Sequence, residues 1–143
     1  MSTELPRIAK TVNRLLVMIE QAVRGFGRHN KFMIGADLRR DAMKVYRCVD
    51  RAWHEPQRRV MRLRELSAAV DDLRLTLQAA KQIEAFRSFG QFEAIAREVT
   101  SLGRQCGGWL KQVQGRSQSG PAASAAGQRA QILSAHPAHE ART

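Results

Sequence analysis

LRELSAAVDDLRLTLQAA, Leu63 to Ala80, places Leu63, Leu66, Val70, Leu73, Leu77 and Ala80 at alternating steps of three and four residues. A helix brings residues so spaced onto one face, and a stripe of this kind is the seam of a helical bundle. The same periodicity recurs on both sides of it. Upstream, Ile8, Val12, Leu15, Ile19, Ala22 and Phe26 form one stripe that Gly25 and Gly27 stop. A second helix is expected to start after Asn30 as its cap and to bury Ile34, Leu38, Ala42, Val45, Val49 and Ala52, with Trp53 near its end. Pro56 marks the break before the third. Downstream, Ser88 and Gln91 form an S-x-x-Q capping box for a helix whose stripe is Phe92, Ile95, Val99, Leu102, Cys106, Trp109 and Val113. Four helices joined by short connections predict an all-α, antiparallel, up-down-up-down four-helix bundle.

Composition agrees with that reading. The 143 residues allow one domain, and an aromatic content of 6% with four prolines argues against a sandwich or barrel. Residues 1–115 are expected to form the bundle. Residues 116–143, opening with the SQSGPAASAA segment, are rich in Ala, Ser and Gly and are expected to be a disordered tail. Cys48 and Cys106 lie far apart with no CxxC, which signals neither a zinc site nor a disulfide framework and fits a reduced, cytoplasmic interior. Arg or Lys interrupts every apolar run before membrane-spanning length, so no membrane partner is expected.

Charge is the most informative bulk property. Nineteen Arg and five Lys face thirteen acids, a formal surplus of +11. A surplus that large favours a polyanionic partner, and the planar guanidinium fork suits phosphate. The predicted topology brings both chain ends of the bundle beside the turn between the second and third helices. Arg7, Lys10, Arg47, Arg51, Arg58, Arg59, Arg62, Arg64, Arg104 and Lys111 are expected to gather there, opposed by Glu4, Asp50, Glu55 and Glu65. On the second helix Arg40, Lys44, Arg47 and Arg51 step by four, three and four, a ridge with no acid inside it. These twelve cations are the candidate nucleic-acid contacts. An ordinary solvated helix face is the alternative for any single ridge.

Two further features suggest protein contacts. Leu75 sits two positions from both Leu73 and Leu77 and must point away from their seam. Ala96, Thr100, Gly103 and Gly107 recur at helical steps, a strip of little bulk that another helix can approach; Gly108 and Trp109 adjoin it. The alternative for the glycines is a fraying helix end.

The segment FGQFEAIAREVTSLGRQCGGWLKQ, Phe89 to Gln112, resembles the closing helix of the accessory variability determinant family of diversity-generating retroelements. Its most specific part is the Gly-Arg-x-x-Gly-Gly-Trp-Leu-Lys core, Gly103 to Lys111. LRLTLQAAKQIEAF, Leu73 to Phe86, is similar to the family's third helix, and KFMIGADLRRDAM, Lys31 to Met43, to the aromatic-x-x-Gly opening of its second. The likeness covers roughly residues 5–113 and leaves the tail outside. It implies a basic four-helix bundle that assembles as a homo-oligomeric pentamer and binds the retroelement's reverse transcriptase, template RNA and cDNA. The implied role is to support mutagenic retrohoming without catalysing any step. Two other readings share the size and charge: a ribosomal-RNA-associated four-helix protein of the intervening-sequence type, and a purely oligomeric scaffold.

The residues themselves carry no sign of an enzyme or of a cofactor. There is no inward Glu-x-x-His pair, no Walker loop, no dinucleotide fingerprint, and no His at a defined spacing from Ser or Cys. His29 and His54 flank turns, His136 and His139 fall in the tail, and the two cysteines fall on or beside apolar stripes as structural thiols.

Overall fold

In a computed structural model of the chain, the structure describes residues 6–117, and side chains to residue 115. All regular structure among them is helical. The elements are α1 (Arg7–Arg24), α2 (Arg28–Phe32), α3 (Ile34–His54), a 3-10 turn (Pro56–Arg58), α4 (Arg59–Gln82) and α5 (Phe89–Ser117). Four of the helices are long, in a bundle-like arrangement. A compact unit reaches to Leu110, and α5 continues beyond it. The tail from residue 118 onward lies outside the described residues, as do Glu4, His136 and His139.

Apolar periodicity decides which face of each helix is buried. Leu63, Leu66, Val70, Leu73, Leu77 and Ala80 of α4 are all buried, as are Ile8, Val12, Leu15, Ile19 and Ala22 of α1. In α3, Leu38, Ala42, Val45, Val49 and Ala52 are buried while Ile34 is half-buried; in α5 the stripe from Phe92 to Cys106 is buried and Trp109 half-buried. Full burial of each Leu, Ile or Val contributes about 1.5–3 kcal/mol, so these stripes dominate the stability of the unit. Val23, off the first stripe, is buried as well, and Leu16 is half-buried, so both widen the core.

Contacts between helices link the start of one to the end of the next. Pro6, the N-cap of α1, and Ala9 share a crevice with Trp53 and His54 at the end of α3, while Glu20 further along α1 accepts two hydrogen bonds from Arg39, at 2.8 and 3.0 Å. Thr76 Oγ1 late in α4 donates to Asp41 early in α3 at 2.5 Å. Cys106 late in α5 donates to the Leu63 carbonyl early in α4, at 3.5 Å. Gln105 Nε2 donates to Thr11 Oγ1 on the first turns of α1 at 2.9 Å. At the opposite end Phe26 meets Phe86 edge-to-face with centroids 5.2 Å apart, and Phe86 meets Phe92 at a tilt with centroids 5.7 Å apart.

The connections contain one departure from expectation. Asn30 does not cap the second long helix; it lies inside the short helix α2, whose N-cap is Gly27. The break comes at Met33, with φ −100° and ψ −92°, and α3 begins at Ile34 without any side-chain cap. Packing of Gly35 against α1, rather than a capping side chain, fixes where α3 starts: a Cβ there would stand 2.7 Å from Val23 Cγ1. Elsewhere the local signals act as read. Pro56 opens the 3-10 turn, where its missing N–H costs no hydrogen bond. Ser88 Oγ accepts from the Gln91 N–H at 3.1 Å, the first half of the expected capping box, while the Gln91 side chain accepts from the Arg87 N–H at 3.3 Å, one residue before the cap.

Candidate nucleic-acid interface

The twelve cations singled out by charge fall into two groups. Arg7, Lys10, Lys44, Arg47, Arg51, Arg58, Arg64 and Arg104 are exposed and form no ion pair among the described residues. Lys111 is exposed on the continuation of α5. The other three are engaged. Arg40 pairs with Asp37, one turn back on the same helix, so the α3 ridge does have an acid at its N-terminal end.

Arg59 and Arg62 serve the corner between α3 and α4. Arg59 donates to the carbonyls of Ala52 and Trp53 at 2.7 and 2.8 Å, satisfying two carbonyls that the end of α3 leaves without helical partners. Its guanidinium also lies over the Trp109 ring, 5.6 Å from the centroid. Arg62 is only 16% exposed at its side chain and sits between Glu55 at 2.9 Å and Glu65 at 3.1 Å. The hydrogen bonds it donates, to Glu55 first and then to Glu65, push its pKa further above the ordinary guanidinium value. Two of the expected phosphate contacts are thus structural struts, because Glu55 and the Ala52 and Trp53 carbonyls engage them from across the turn while Glu65 holds Arg62 from its own helix.

Six of the remaining cations belong to one end of the compact unit, whereas Lys44 sits midway along α3 and Lys111 lies beyond the unit. Arg7 and Lys10 open α1, whose first turns adjoin the end of α3; Arg51 and Arg58 flank the corner; Arg64 is in the second turn of α4; Arg104 stands two residues before Cys106, which bonds Leu63. Every long helix contributes. Burial, helped by Glu65, raises the Cys48 thiol, and Lys44, Arg51 and Arg62 offset only part of that rise. Cys106 is pushed up to about 11, chiefly by burial, so both are buried free thiols rather than reactive ones.

Between α4 and α5 runs a groove of about 290 Å³ lined by Ser67, Asp71, Arg74, Thr100, Gly103 and Arg104. At Gly103 an added Cβ would meet Arg74 Nη2 at 3.2 Å, so the bulk missing here makes room for a guanidinium of the same chain. Gly107 and Gly108 face open space, with nothing within 4 Å of an added Cβ. Leu75 is 70% exposed, on the side of α4 away from its buried seam. Trp109 packs on Trp53, with ring centroids 6.2 Å apart, and so is partly spent inside the unit.

One feature of this end escaped the periodicity. Tyr46 and Trp53, 39% and 44% exposed, line a crevice of about 100 Å³ between α1 and α3, with Ala9 and Val12 opposite. Tyr46 lies off the buried stripe of α3. Its seven-residue spacing from Trp53, with Arg47 and Arg51 between, is the signal that could have marked it.

No protein-family model matches the chain, and no curated protein does. No helix among the described residues is long and apolar enough to cross a membrane.

Proposed function

We propose that this chain is a non-catalytic nucleic-acid-binding accessory protein of the kind that serves diversity-generating retroelements, engaging a reverse transcriptase together with its template RNA and cDNA. The supporting observation is the set of exposed, unpaired cations that all four long helices supply to one end. The end-to-start contacts between neighbouring helices support an antiparallel up-down-up-down bundle as its frame. The Gly103–Lys111 motif is what links it to the retroelement family, and with that link comes the proposal of a homo-pentamer.

Phosphate contacts release condensed counterions, so affinity for template RNA should fall steeply with salt. With about six phosphates contacted, log K against log salt is expected to have a slope near −4 for a single strand. Fluorescence anisotropy at several salt concentrations measures it, and a flat response would remove the phosphate backbone as the source of binding. Co-purification of the reverse transcriptase with the full chain tests the protein partner.

The open surface at Gly107 and Gly108 supports a second reading, an oligomeric scaffold. Gly→Ala at each should stabilise the isolated helix by about 1 kcal/mol through propensity alone. If the strip lies against another copy, the G107A/G108A double variant should melt higher as a monomer yet lose its assembled mass in light scattering. Assembly that survives intact would exclude the strip as the interface.

A further inference from the structure

The crevice between α1 and α3 combines three properties seldom found together on a helical surface. Its walls are mostly apolar or aromatic, Asn13, Asp50 and His54 supply its polar edge, and its volume of about 100 Å³ is well below the roughly 300–1,000 Å³ of pockets that enclose whole small molecules. Trp53 and Tyr46 stand on one wall, Ala9 and Val12 on the other. Lys10 follows Ala9 and Arg47 follows Tyr46, both exposed and without an ion pair among the described residues.

The Trp53 ring is also held in place. Trp109 packs against it at 6.2 Å, Arg59 lies over Trp109, and the same Arg59 binds the Trp53 carbonyl. A ring fixed in this way loses little freedom when a second ring stacks on it. At the rim, His54 Nδ1 lies 2.9 Å from the Asp50 carbonyl and 3.2 Å from its carboxylate. That carboxylate is an acceptor suited to the exocyclic amine of a base.

Resting on the nucleic-acid reading above, we infer that this crevice receives an unpaired base of a single-stranded nucleic acid, stacked by Trp53 and Tyr46 while Lys10 and Arg47 take the flanking phosphates. A base within a duplex presents no free face to the two rings, so the crevice makes the protein a reader of single strands. RNA and DNA share this chemistry, and the test separates them.

The full-length chain is titrated with a mixed-sequence single-stranded oligoribonucleotide, the matching oligodeoxyribonucleotide, and the duplex. Wild type is expected to favour both single strands over the duplex; preference for one of the two names the natural strand. Trp53→Leu and Tyr46→Leu should each weaken single-strand binding about 5- to 100-fold while leaving the slope against salt unchanged. Trp53→Phe, which keeps a stacking ring, should recover most of the loss. A Trp109→Phe chain leaves Trp53 as the sole tryptophan, and its fluorescence should be quenched by the single strand and not by the duplex. Folded variants, checked by circular dichroism, that bind as wild type while wild type binds strongly would overturn the stacking site alone. A wild type that binds the duplex best would do the same. Failure of wild type to bind any of the three would overturn the underlying reading, and the crevice proposal with it.

Discussion

Replacing Arg47, Arg51 and Arg58 together by Glu is expected to lower template-RNA affinity on the order of 100-fold at moderate salt and to flatten the salt dependence by about two to three units of slope. All three are exposed, and none forms an ion pair among the described residues. Their reversal removes no contact that the helices use, so the melting temperature should move by only a few degrees. Affinity measured across a salt series, beside a thermal melt of each protein, checks both halves of the expectation. A folded triple variant with unchanged affinity would move the phosphate path away from this end.

The second large effect concerns stability. Gly35→Ala should destabilise the chain by about 1–3 kcal/mol, because the added methyl would stand 2.7 Å from Val23 Cγ1 and 3.1 Å from the Asn30 carbonyl oxygen. Neither neighbour yields easily. Val23 is fully buried and β-branched, which leaves it one favoured rotamer in a helix, and Asn30 presents backbone. The melting temperature is expected to fall by roughly 5–10 °C. Val23→Ala in the same chain should return part of the loss, since the two side chains compete for one space. A thermal melt that shows no change on Gly35→Ala would mean that α1 and α3 adjust their spacing freely.

The chain announces its helices more clearly than its corners. Long stripes such as Leu63 to Ala80 are periodic enough that burial follows from spacing alone, and Ser88 with Gln91 caps α5 by a purely local pattern. The start of α3 is not legible locally, because Gly35 meets Val23 twelve residues away and no neighbouring residue records that encounter. The candidate site divides in the same way. Which residues carry charge is plain from the letters, and the exposed ridge on α3 follows from its steps of three and four. That Arg59 and Arg62 are engaged depends on Ala52, Trp53 and Glu55, seven or fewer residues away but across a turn whose shape the letters do not fix. Tyr46 carries no signal in the apolar stripe of its own helix, because its significance comes from Ala9 and Val12 on another helix.

The guanidinium of Arg62, held by one carboxylate on each side of the bend, bears on how any survey of this surface by substitution is interpreted. Cutting that residue back frees Glu55 and Glu65 and lets the elbow slacken, so neighbouring arginines would lose their alignment as well. A weakened grip in such a variant would report a deformed hand rather than a missing finger.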